Sequence, residues 1–243
     1  MDNEIIEKAQ ELEDNGDLKE CVKYLDENIP AISDDASKCE ALKIKTECYL
    51  YMEEPEPDLA KQSADEAMII AQKLNDQRRI AELNLLISQV LNLKDDDKAV
   101  EYGRKAFDMY QKLNDKGDMI YSMISLATIL KDYKEASSLF ERAMNEAESS
   151  NDLDMLAQAA VNYSYLILEE NGDGEPLKVL DRAIKKIVEA GSKLKRKDER
   201  INFVSNYSEI FDAASDIAME LDQYDLATKY ASFLNKDPQE LQK

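Results

Sequence analysis

The residue types that most often carry enzymatic chemistry are thin in this chain. It has 243 residues with no histidine and no tryptophan, so neither a Ser–His nor a Cys–His nucleophile can be assembled. No G-x-S-x-G or phosphate-loop spacing occurs either. The three cysteines, Cys21, Cys39 and Cys48, form no C-x-x-C pair and have no histidine to complete a zinc site. They read as buried, reduced thiols of a cytoplasmic protein. Asn171, Asp173 and Glu175 imitate the alternating oxygen ligands of a calcium loop, but Pro176 stands where that loop requires glycine and no glutamate closes it. An acidic turn between helices accounts for them, and loops and caps account for the clusters at 53–58 and 95–97. Two N-Y-S triplets, at 162–164 and 206–208, match the glycosylation pattern but fall in segments expected to be helical. No catalytic residue, metal or cofactor is expected. One run departs from the acidic background: Lys193, Lys195, Arg196, Lys197 and Arg200 place five of the 31 basic residues in eight positions. Such a run either docks an acidic segment, another copy's acidic face included, or is a solvated linker whose cations follow a helix C-terminus.

The elements that would position any site are helical. Hydrophobic residues make up 44% of the chain, and only six glycines and five prolines interrupt them. The formal net charge of −21 repels phosphate backbones and anionic lipid, which argues against nucleic acid and favours a basic or neutral partner. The N-terminus is acidic and amphipathic, unlike a signal peptide. The richest apolar run, 119–130, is broken by Ser122, Ser125 and Thr128 and is too short to span a bilayer; no membrane insertion is expected.

An internal repeat organises the rest. The segment Asp96–Asp115, slid back 39 residues, places Ala99 on Ala60 and Ala106 on Ala67, and Q-K-L-N-D recurs letter for letter. Slid forward 37, it meets Ala136 and Ala143 in register. Repetition at such a period predicts stacked supersecondary units. Helix punctuation divides the chain into six helical hairpins, roughly 3–31, 35–74, 76–113, 116–149, 152–191 and 197–236, within one domain covering 1–243. Twelve helices result, one of them continuous over 198–221. The connecting loops are short enough to force antiparallel neighbours. Capping boxes are expected at Asp17 with Glu20, Ser37 with Glu40, and Asp132 with Glu135.

The small residues resemble those of tetratricopeptide (TPR) repeats. In that family a small residue on the first helix of a unit packs against another twelve positions later, and an alanine follows seven beyond. Here Ala9 precedes Cys21 by twelve, Cys48 precedes Ala60, Ser164 precedes Pro176 and Ser215 precedes Ala227. The seven-residue pairs are Ala60/Ala67, Ala99/Ala106 and Ala136/Ala143, with Pro176/Ala183 as a variant. The family's unit is 34 residues, whereas these alanines recur after 39, 37 and 40. In the third and fourth units Ser88 and Ser125 take the small position if the turn is one residue shorter.

The resemblance implies an all-α, right-handed solenoid that binds a protein or peptide without chemistry, the first helices of its units lining a concave groove. Carried over, groove positions fall on Gln158, Val161, Asn162 and Tyr165 of the fifth unit. On the first unit they fall on Ile6, Glu7 and Gln10, and on the third, depending on register, on Asn84 or its neighbours. Amide and hydroxyl groups there would match the donors and acceptors of an extended peptide. A self-assembling protein or homo-oligomer, and a peptide-sensing regulatory domain, are the other readings.

Overall fold

Local signals explain where the helices start and stop. The structure, a computed structural model, describes residues 2–170 and 175–241. Seven α-helices build the first stretch: α1 (Asp2–Asp14), α2 (Leu18–Asn28), α3 (Asp35–Tyr51), α4 (Pro57–Lys73), α5 (Gln77–Leu93), α6 (Lys98–Leu113) and α7 (Lys116–Ile129). The second stretch holds α8 (Tyr133–Ser150), α9 (Leu153–Glu169), α10 (Pro176–Ser192), α11 (Lys197–Ser205), α12 (Ser208–Glu220), α13 (Tyr224–Ala231) and α14 (Pro238–Leu241). Asn75, Asn114 and Asn151 adopt left-handed backbone with φ of 52°, 56° and 56°, a conformation asparagine tolerates better than most residues. An aspartate follows each of them. Asp76 and Asp152 then accept the backbone N–H of Arg79 and Met155, at 3.1 and 3.0 Å. One N-D dipeptide thus ends one helix and caps the next.

The expected cap at Asp132 is present, its carboxylate accepting the Glu135 N–H at 2.8 Å. The other two expectations need correction. Asp17 stands at the N-cap of α2 but makes no side-chain capping bond. Ser37 is already inside α3, because Asp34 caps that helix and accepts both the N–H and the hydroxyl of Ser37, at 2.7 and 2.8 Å. The expected helix over 198–221 is also interrupted. Asn206 and Tyr207 leave the helical line between α11 and α12, where Tyr207 comes near Asp154 of α9 and the Ser205 hydroxyl donates to Leu234 O at 3.2 Å. That break and α14 raise the number of described α-helices to fourteen, with short turns at Ile29–Ala31 and Phe233–Asn235 closed by the N–H groups of Ile32 and Lys236 on the carbonyls of Ile29 and Phe233.

The chain divides into two compact units, Met1–Ile129 and Leu130–Lys243. The division falls in the turn of the fourth expected hairpin. Within the first unit each helix lies against its sequence neighbour, and α3 also meets α1 and α5, while α5 meets α7. In the second, α9 lies against α8, α10 and α12, and α12 against α13.

The small residues sit at the crossings, and their polar hydrogens have a fixed use. The Cys21 thiol donates to Ala9 O at 3.3 Å, and the Ser164 and Ser215 hydroxyls donate to Pro176 O and Ala227 O at 3.0 and 3.2 Å. Each of these spans twelve residues. The Ser88 hydroxyl donates to Ala99 O at 2.8 Å across eleven, so the third unit uses the shorter turn. Around these crossings Ala60, Ala67, Ala106, Ala136, Ala143 and Ala183 are wholly buried. Gly103 shows how close the helices come. A Cβ there would lie 3.0 Å from the Ser88 hydroxyl and 3.1 Å from Leu126 Cδ1. All three cysteines are free and buried.

Candidate peptide-binding face

A residue next to a crossing residue, or two before it, points away from the partner helix, so the crossings define a strip on each first helix. In the first unit this strip is charged. Glu40, Lys43, Glu47 and Tyr51 follow one another at three- and four-residue spacing along α3. Lys43 Nζ is 2.9 Å from Glu40 and 3.5 Å from Glu82 of α5. Arg78 bridges Glu82 at 3.2 Å and Asp118 of α7 at 3.1 Å. Burial pushes the Glu47 carboxyl up to about 7 against the pull of Lys43, with Glu13, Glu40 and Glu82 adding repulsion. Burial also works against the Lys43 ammonium, but Glu47, Glu40 and Glu82 outweigh it and raise its pKa. Further along, the Tyr51 hydroxyl donates to Gln89 Oε1 and Gln89 Nε2 donates to the Tyr121 hydroxyl, both at 3.1 Å. The Gln89 amide is therefore engaged at both ends.

The second unit differs. Gln158 is exposed and Asn162 half-buried, one turn apart on α9. Among the described residues neither side chain makes a hydrogen bond. Tyr165, also half-buried, has its hydroxyl pKa raised by burial and by Asp216, Glu220 and Glu209. Those carboxylates form one stripe of α12 beside α9. Val161, the other expected groove residue, is buried at 7% exposure. Two free amides, a phenol and an acidic wall thus share one surface.

The expected Asn84 site is not on this kind of surface. Asn84 lies five residues before Gln89, about 140° away around α5, and four before the crossing Ser88. It is buried, bonds Ile80 O at 2.6 Å, and lines a cleft between α4 and α6. Gln89, one residue after Ser88 as Tyr165 is one after Ser164, holds the equivalent place; the shorter turn would have located it. Ile6 and Glu7 line a recess of about 230 Å³ with Glu40 and Arg79, and Gln10 is exposed.

The basic run is largely used internally. Arg200 is only 8% exposed; it donates to Asp237 at 2.7 and 2.5 Å and to the carbonyls of Leu194 and Lys195. It is a clasp for the C-terminal segment and not part of an open patch. The reason is a contact 37 residues away in sequence. Arg196 pairs with Asp198, and Lys197 lies 3.6 Å from Glu240; among the described residues Lys193 and Lys195 have no ion pair. The Arg200 guanidinium holds the Asp237 carboxyl down to about 2. A depressed carboxylate stabilises the fold above its unfolded value and loses that contribution as pH falls towards 2. Acidification from about pH 4 to 2 is therefore expected to release the C-terminal segment. Hydrogen exchange of the amides of 239–241 checks this, and Asp237→Asn should show the release already at pH 7.

Of the calcium-like residues, Asn171 and Asp173 lie outside the described residues, and Glu175 is an exposed helix-start residue paired with Lys178. Of the two N-Y-S triplets, the first is on α9 with Ser164 buried and the second sits at the α11–α12 break. No helix among the described residues is long and apolar enough to cross a membrane.

No protein-family profile and no curated protein matches the chain. Solved structures do. A Rap protein complexed with competence and sporulation factor is similar over 96% of this chain and 74% of its own, at 16% identity and a TM-score of 0.65. The nearly identical TPR-like repeats of a kinesin light chain from Podosopora anserina cover 77% and 95%, at 14% identity and 0.63. NprR in complex with its cognate peptide NprX covers 96% and 76%, at 13% identity and 0.55. The chain has the fold of TPR-like helical-repeat proteins.

Proposed function

We propose that the protein is a non-enzymatic binding scaffold that takes an extended, basic or neutral peptide segment of a partner on the α9 surface of its second unit. The carrying observation is the pair of unengaged amides, Gln158 and Asn162, on the same helix as Tyr165, whose hydroxyl feels the carboxylates of α12. Amides supply both a donor and an acceptor to a peptide backbone, while the acidic stripe and the phenol ring suit a cationic side chain. The first unit also carries polar groups on its first helices, but its amide and charges already satisfy one another. Similar folds solved with a competence and sporulation factor and with a cognate peptide support the reading. A cytoplasmic setting fits the three reduced thiols.

Binding is tested with peptides selected from a randomised library containing lysine and arginine, titrated calorimetrically. Asn162→Ala is expected to weaken the selected peptides by about 1–3 kcal/mol with an unchanged circular dichroism spectrum, and added salt should weaken them further. Equal affinities with an intact fold would move the binding surface elsewhere.

Self-assembly is the second reading, favoured by one apolar patch. Met219, Leu221 and Tyr224 at the α12–α13 turn are 49%, 38% and 64% exposed. Light scattering on a size-exclusion column decides it, a monomer at all concentrations removing it.

A further inference from the structure

The cleft holding Asn84 lies on the opposite side of α5 from the Gln89 strip. It has a volume of about 440 Å³, within the range that takes a drug-sized group, roughly 300–1,000 Å³. Its floor is apolar, formed by Ile80 and Ile87 of α5, with Met68 of α4 and Met109 of α6 on facing walls. Asn84 is the polar group in that floor, 6% exposed. Its orientation is set by chemistry. The carbonyl of Ile80, 2.6 Å away, can only accept, so the nitrogen Nδ2 must face it. The second N–H of Nδ2 points to Met109 Sδ at 3.9 Å. The amide oxygen is left over, and among the described residues no donor reaches it. Among the described residues the buried side-chain polar atoms without a partner are on Arg79 and Ser137, so the Asn84 oxygen is open to the cleft and free to accept.

We propose that this cleft receives an aromatic side chain carrying a ring N–H or O–H, presented by a partner polypeptide, with tryptophan the best fit. Two thioethers on facing walls suit an aromatic ring, whose edge sulfur contacts favourably. The Asn84 oxygen then accepts the ring's single donor at the bottom of the cleft. At the rim Asp65, Asp108 and Lys112 are exposed, so the polar main chain on either side of the inserted residue stays hydrated. The remaining wall is the Tyr102 ring, one face already covered by Lys105 at 4.8 Å. An aliphatic residue would fill the floor but leave the oxygen unpaired, and an anionic one would meet it with like charge.

The protein has no tryptophan of its own, so the emission of an added indole probe is free of background. N-acetyl-tryptophanamide is titrated against the full chain, and a saturable blue shift in its emission is expected. The 1-methyl derivative, which lacks the ring N–H, should bind about fivefold more weakly to the wild type, the worth of one ordinary hydrogen bond. Asn84→Leu should abolish the difference between the two probes, whereas Asn162→Ala should leave both affinities unchanged, which separates this site from the α9 surface. The comparison of probes on the wild type needs no variant to fold. No shift up to about 10 mM probe, near the weakest affinity worth calling binding, overturns the proposal. So does equal binding of the methylated probe. Tighter binding of free tryptophan than of the blocked probe would overturn the assignment to a polypeptide side chain.

Discussion

Raising the pH from about 4.5 to 7 is expected to destabilise the first unit, and Glu47→Gln is expected to remove most of that loss. The Glu47 carboxyl is raised from its ordinary 4.5 to about 7. Below 4.5 both the folded and the unfolded chain hold the proton, and the two states are treated alike. Between 4.5 and 7 the unfolded chain ionises while the folded chain keeps its proton, so unfolding gains progressively, and above 7 the loss is complete. A displacement of this size corresponds to about 2–3 kcal/mol after allowance for the partial exposure of the side chain. The physical origin is geometric. Glu47 sits on α3 with Lys43 and Glu40, and the fold adds Glu13 from α1 and Glu82 from α5, so one ammonium faces four carboxyls. Glu13 and Asp118 are raised in the same direction, burial being the first cause in each. They contribute a smaller slope that the variant retains. Urea melts followed by circular dichroism at several pH values are the measurement. Glu47→Gln should match the wild type near pH 4 and exceed it at pH 7 and above. A variant with the full wild-type slope would show that Glu47 is ionised in the folded protein.

Ala143→Leu is expected to destabilise the second unit by about 1–3 kcal/mol. Ala143 is wholly buried on α8, two turns after Ala136, which is also wholly buried. Phe140 and Met144 beside them are only 1% and 0% exposed, and the Phe140 ring stacks on Tyr163 of α9 at 5.6 Å. Close-packed neighbours of this kind have no spare volume, so three added carbons must push a rotamer or a helix. Ala143→Ser, which adds a single atom, should cost less. A change below about 0.5 kcal/mol for leucine, the level of an ordinary surface substitution, would mean that α8 does not meet its neighbour at this residue.

Much of the architecture follows from signals that act over a few residues. The N-D pairs at Asn75, Asn114 and Asn151 end one helix and cap the next because asparagine enters left-handed backbone cheaply and aspartate accepts an N–H three residues on. The twelve-residue spacing of Ala9 and Cys21, or of Ser164 and Pro176, marks a crossing because only small side chains let two helices approach. These effects need no knowledge of the rest of the chain, so hairpins, turns and crossings were legible from the residues alone. Where the reading failed locally, two local choices competed. Asp34 and Ser37 could each cap α3, and the aspartate three residues earlier won.

The availability of each candidate group depended on partners distant in sequence, which only the tertiary structure brings together. Gln89 and Asn162 are both amides on the outer strip of a first helix, but Gln89 is closed by Tyr51 and Tyr121, 38 and 32 residues away. Arg200 belongs to a basic run by sequence and to Asp237 by packing. Asn84 and Gln89 lie on one helix five residues apart, and a turn shorter by one residue decides which faces the strip and which faces α4 and α6. Local sequence determined where the helices lie because caps, turns and crossings are nearest-neighbour physics. Which polar groups remain free to bind was decided by the stacking of helices, because hydrogen bonds and charges are satisfied by whatever side chain arrives within about 3 Å, whatever its place in the chain.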